Sequence, residues 1–123
     1  MSTLMDTFRA AAQLPLTPVA FEILLALADG ERHGYGILQE VEHRSGGTVT
    51  LHAGTLYRAL ARLLEAGFIE ELAESPDPSS TDERRRYYGL TARGIAVARA
   101  EAARLEEQVA AARARRLLKG ARA

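Results

Sequence analysis

The sequence predicts a mainly α fold with one small β-hairpin and a long C-terminal helix. Three observations carry that expectation. Apolar residues recur at helical spacing in successive segments before residue 67. Two short β-prone runs flank a polar loop between residues 68 and 90. A 3-4-3-4-3 apolar repeat then runs from Ile95 to Ala112. The 123-residue length favours a single domain with an appendage. This gives an N-terminal arm or helix over residues 1–15, a globular unit over 16–90 and a C-terminal helix over 91–120.

Residues 3–13 can form a weak helix, with Leu4, Phe8 and Ala11 on one side. Thr17-Pro18 opens the first clear helix. Thr is a good N-cap, and Pro is tolerated at the first helical position because that N–H has no partner. Val19, Ala20, Ile23, Leu24 and Leu27 give its apolar stripe, and Asp29-Gly30 end it. A second helix runs from about Gly34 to Ser45, with Tyr35, Ile37, Leu38 and Val41 as its stripe and Gly46-Gly47 as its stop. Thr48-Val49-Thr50 is a short β-prone piece. A third helix covers about Ala53 to Ala66 and ends at Gly67.

The hairpin strands are Phe68 to Leu72 and Arg85 to Leu90. Between them, Ser75 to Asp82 is turn chemistry throughout. In the second strand Tyr87 and Tyr88 alternate, so one faces the core and the other solvent. Thr91 caps the last helix, which extends to about Leu118. Its seam is Ile95, Ala98, Ala102, Leu105, Val109 and Ala112. A helix leaving so small a domain cannot cover that stripe alone. Either a second copy of the chain covers it, or the N-terminal segment folds back on it; the two are compatible.

Three helices followed by a hairpin is the order of a winged helix-turn-helix. The third helix presents His52, Ala53, Gly54 and Thr55 ahead of Tyr57 and Arg58. Small residues let a helix end enter a major groove, and its free N–H groups suit a phosphate. Arg58 and Arg62 are four apart and share one face. One can reach a base edge while the other holds the backbone. Leu56, Leu60, Leu63 and Leu64 face the core. Tyr57 is read either as packed on the sheet or as contacting phosphate.

In the wing, Arg84 and Arg86 share a face while Arg85 points away. These arginines either contact phosphates or pair with the acids at Glu70, Glu71, Glu74, Asp82 and Glu83. The formal net charge is zero, yet residues 64–83 hold seven acids and no base, and residues 84–123 hold eleven bases against three acids. Local patches, not the total, therefore decide the partner.

Other functions fit less well. There is no cysteine, so no disulfide or thiolate metal site is possible. His33, His43 and His52, spaced by 10 and 9, do not share a helical face. Capping or solvated roles suit them better than a metal site of His43 with Glu40 or Glu42. No catalytic constellation or phosphate loop stands out, so neither an enzyme, a cofactor nor a metal is expected. The alternative to DNA binding is a winged helix used for protein–protein contact. The first residues have no basic stretch before a long apolar core, and no apolar run nears the roughly 20 residues that span a bilayer. A cytoplasmic protein without a membrane partner is expected.

Three segments, HGYGILQEVEHRSGG, GTLYRALARLLEAGFIEE and RRRYYGLTARG, stand here in the order and spacing of one family. Over residues about 16–94 the chain resembles the PadR family of transcriptional regulators. The resemblance implies a winged helix-turn-helix that binds double-stranded operator DNA as a homodimer, usually as a repressor. It implies dimerisation through the C-terminal helix, assisted by N-terminal residues, and looks like the shorter-tailed members. It places DNA contacts at Thr55, Tyr57 and Arg58 and at Arg84, Arg85 and Arg86, and puts Tyr35 and Gly36 in the supporting helix. Family members often carry Ser-Pro where His52-Ala53 stands here. Some respond to small hydrophobic effectors. This chain has no Trp to stack one, and the pattern names no ligand.

Overall fold

The computed structural model describes residues 9–72 and 86–119. In chain order these form a short 3-10 turn (Ala10–Gln13), α1 (Pro18–Ala28), β1 (Arg32–His33), α2 (Gly34–Arg44), α3 (Ala53–Ala66), β2 (Ile69–Glu71), β3 (Tyr87–Leu90) and α4 (Ala92–Ala114). The fold is mainly helical, with a three-stranded antiparallel sheet in the order β1-β3-β2. It is the expected winged-helix class with a long final helix.

α1 is the central element, packed against α2, α3, α4 and β3. Its start follows from the sequence: Thr17 is extended, and its Oγ1 accepts a hydrogen bond from the Ala20 N–H at 3.1 Å. Ile23, Leu24, Ala26 and Leu27 are buried. They meet Ile37 and Val41 of α2, Leu56, Leu60 and Leu63 of α3, Phe68, Ile69 and Tyr88 of the sheet, and Val97 of α4 in one core. Truncating any of the aliphatic side chains at its centre to Ala would cost about 2–5 kcal/mol.

β2 and β3 form the expected hairpin, with Ile69 opposite Leu90 and Glu71 opposite Tyr88. Tyr88 faces the core as expected, whereas Tyr87 is half-buried rather than exposed, because it meets the His33 ring edge-on. β1 is an addition: Arg32 pairs with Tyr88 and His33 with Tyr87. Two residues carry no apolar alternation, so no sequence signal marks this strand.

Several expected boundaries shift. Thr48-Val49-Thr50 is not a strand. Ser45 Oγ accepts from the Val49 N–H at 3.0 Å and Thr48 Oγ1 donates to the Ser45 carbonyl at 2.8 Å, so side-chain bonds replace a ladder. The N-terminal helix expected over residues 3–13 is only the 3-10 turn Ala10–Gln13 where it is described; Leu4 and Phe8 lie outside the described residues. The first hairpin strand is shorter at both ends than expected, the second starts at Tyr87 and ends at Leu90 as expected, and the turn from Ser75 to Asp82, with Arg84 and Arg85, lies outside the described residues. The last helix ends at Ala114 rather than Leu118: Arg116 takes a left-handed φ of 61°, and the Leu117 N–H closes back on the Ala112 carbonyl.

Candidate nucleic-acid interface

α3 sorts its residues as an amphipathic helix must. Leu56, Leu60 and Leu63 are buried and Leu64 is half-buried, while His52, Ala53, Gly54, Arg58 and Arg62 are exposed. Thr55 is half-buried beside them. His52 is the N-cap but makes no side-chain capping bond, so the first turn keeps open N–H groups. The helix ends where Gly67 turns left-handed at φ 82°.

The Arg58 guanidinium folds back over Gly54, within 3.7 Å of where a methyl group there would stand. The chain carries no acid between Glu42 and Glu65. Neither Arg58 nor Arg62 is held in an ion pair among the described residues. This face is therefore positive, exposed and uncommitted. Arg32 and Arg44 differ: Arg32 lies near Asp29 and Glu40, and Arg44 pairs with Glu22 at 2.7 Å.

The wing is partly committed. Arg86 Nη1 lies 2.8 Å from Glu71 Oε2 across the β2–β3 pair, with 62% of the Arg86 side chain exposed. Exposed pairs of this kind contribute at most about 1 kcal/mol, so the guanidinium can leave. Beneath it, burial pushes the Tyr88 phenol up from its ordinary range, and the Glu71 carboxylate adds to the rise.

His33 takes the capping role that suited the histidines in the sequence. His33 Nδ1 accepts from the Gly36 N–H at 3.0 Å, making this histidine the N-cap of α2. Its ring stacks on Tyr35 at 6.4 Å and meets Tyr87 edge-on at 5.3 Å. Tyr35, read from periodicity as part of the apolar stripe, is instead 61% exposed. Tyr57 is 48% exposed, and its ring lies over buried Gly34. The open choice for Tyr57 thus resolves to a border position between core and solvent.

α4 divides its faces. Gly94, Val97 and Glu101 are buried against the body. Gly94 lies so close to β2 that a methyl group there would collide with the Phe68 carbonyl oxygen. Of the predicted seam, Ile95, Ala102 and Val109 are exposed, while Ala98, Leu105 and Ala112 are half-buried. The 3-10 turn packs on the same helix, yet Ile95, Ala102 and Val109 of the stripe stay exposed.

Glu101 fixes that segment. Its Oε2 accepts the Leu16 N–H at 3.2 Å, and Arg104 binds both carboxylate oxygens at 2.6 and 2.9 Å. These Arg104 hydrogen bonds hold the carboxyl below the usual range despite burial, and the Leu16 bond acts in the same direction. No periodicity argument finds a buried acid on an apolar face. Ile95, Ala98, Arg99 and Ala102 line a groove of about 390 Å³ with Ala28 and Leu90.

Among the described residues no group of three His, Cys, Asp or Glu side chains comes together as a metal site, and no helix is long and apolar enough to cross a membrane.

The fold is that of a winged helix, with Arg58 and Arg62 on the exposed face of its third helix. The model of the PadR-like family of transcriptional regulators matches residues 23–100, and the chain belongs to that family. Solved structures agree. A transcriptional regulator from Clostridium thermocellum is 27% identical, with 76% of this chain and 84% of that one covered and a TM-score of 0.65. A complex structure of RosR from H. salinarum is 31% identical over 88% of each chain, with a TM-score of 0.59. Bacillus subtilis PadR in complex with operator DNA is 26% identical, covering 66% of this chain and 44% of that one, with a TM-score of 0.56. No curated protein matches the sequence.

Proposed function

We propose that this PadR-family member is a sequence-specific DNA-binding transcriptional regulator of the cytoplasm, acting as a homodimeric repressor on a palindromic operator. One observation carries the reading: the exposed face of α3 holds Arg58 and Arg62, neither of them in an ion pair among the described residues. The operator complex of the B. subtilis relative supports it. In this reading residues 16–90 bind DNA. Thr55 and Arg58 read base edges from the major groove. Arg62, with His52 and Gly54 at the helix start, lies along the backbone, and Arg84, Arg85 and Arg86 hold phosphates beside the groove. Tyr57 belongs to the same surface.

Residues 91–120 join two copies along Ile95, Ala98, Ala102, Leu105, Val109 and Ala112, with residues 1–15 assisting. The exposed Ile95 and Val109, at 39% and 40%, are what a partner would cover. The groove beside Ile95 is large and apolar enough for a small hydrophobic effector that releases the operator.

Selection from random duplex DNA with the purified protein tests the whole reading. It should return one sequence with two-fold symmetry and half-sites about one helical turn apart. Affinity for it should fall steeply with salt, each neutralised phosphate adding about −0.9 to the log–log slope. No enrichment, with no shift of any duplex at low salt, would leave a protein–protein module.

A further inference from the structure

We infer that Gly34 and Tyr57 form a positioning contact that sets the rotation of α3 about its own axis, and through it the aim of Arg58. This rests on α3 being the reading helix.

Successive residues on a helix stand about 100° apart. Leu56 points into the core, Arg58 into solvent, and Tyr57 lies on the border between them. The Tyr57 ring crosses the first residue of α2: a methyl group at position 34 would stand 2.6 Å from its Oη, 3.1 Å from Cζ and 3.3 Å from Cε1.

Nothing local asks for glycine at position 34. Its φ is not among the positive ones, which belong to Gly30, Gly46, Gly47 and Gly67. Alanine would favour the helix by up to about 1 kcal/mol. The missing methyl group therefore serves the ring that lies there.

The other anchors of α3 are Leu56, Leu60 and Leu63. These buried leucines are close-packed, but all three hold the helix along a single stripe. A flat ring wedged off that stripe resists rotation. Because Arg58 is the next residue, an angular error at Tyr57 passes to it undiminished.

The atom that would block a methyl group is the far end of a half-exposed side chain, so Gly34→Ala lets the ring swing out and the protein still folds. Affinity for the selected operator and for scrambled duplex is measured in a double-mutant cycle of Gly34→Ala and Tyr57→Phe. Loss of the hydroxyl clears the tightest contact.

Gly34→Ala should reduce the specific-to-scrambled ratio on the order of tenfold when Tyr57 is present, and by much less in the Tyr57→Phe background. Equal losses in both backgrounds, or no loss in either, overturn the inference. Tyr57→Leu gives an independent reading should Gly34→Ala not fold. It should lower the ratio while Arg58 is present and add nothing once Arg58→Ala is made; an added loss there would make Tyr57 a DNA contact in its own right and overturn the positioning role. A wild-type protein that selects no operator would take down the DNA reading itself, which neither variant result can mimic.

Discussion

Gly94 is the residue on which α4 docks. A side chain there meets the Phe68 carbonyl, a backbone atom that cannot swing aside, unlike the ring over Gly34. Gly94→Ala should therefore destabilise the fold by about 3 kcal/mol, as overpacking in a close contact does. Urea titration should show a lower midpoint with an unchanged slope. Arg58 has the opposite character, touching little in the free protein. On the proposed operator, Arg58→Ala should cost about 1–3 kcal/mol if the guanidinium reads a base. The check is the operator against a site with one base pair changed. If all sequences weaken alike, Arg58 is a phosphate clamp.

Among elements, α4 buries one face against the body and carries the apolar repeat on an adjacent one, and the sequence repeat reports only the second. The 3-4 spacing from Ile95 to Ala112 marks the stripe, yet the helix buries Gly94, Val97 and Glu101, one step around. A glycine and a glutamate on the docking line are invisible to an apolar pattern. For the same reason β1 was illegible: two polar-flanked residues form a strand only because β3 offers an open edge. What the sequence did show were elements whose local chemistry agrees with their packing: the Thr17 and Thr91 caps, the leucine stripe of α3, and Gly67 after it. The exposed arginines of α3 were legible from spacing, but that neither is held in an ion pair among the described residues was not. Because Val109 is exposed on this helix, Val109→Asp should leave helicity intact and halve the mass seen by sedimentation. An unchanged mass would place the proposed dimer contact elsewhere.

At the scale of the whole molecule, Glu101 couples stability to pH. Its carboxyl binds a proton less readily in the folded chain than in the unfolded one. The stability it contributes is thus fully present above the ordinary glutamate range, about pH 4.3, and is lost as pH falls through that range toward the lowered folded value. Thermal midpoints followed downward from pH 6 should drop more steeply for the wild type than for Glu101→Gln. Parallel curves would mean that Arg104 and the Leu16 N–H do not favour the charged form.

The Glu71–Arg86 pair has a consequence for discrimination between partners. In the proposed reading Arg86 holds a phosphate, and the Glu71 carboxylate occupies that guanidinium in the free chain, standing in for the phosphate as a resident decoy. On that reading a duplex has to displace Glu71 from Arg86, which trims loose attachment to arbitrary DNA more than attachment where α3 is already seated. Silencing the decoy with Glu71→Gln should tighten binding to scrambled duplex more than to the operator, giving a stickier and less choosy protein.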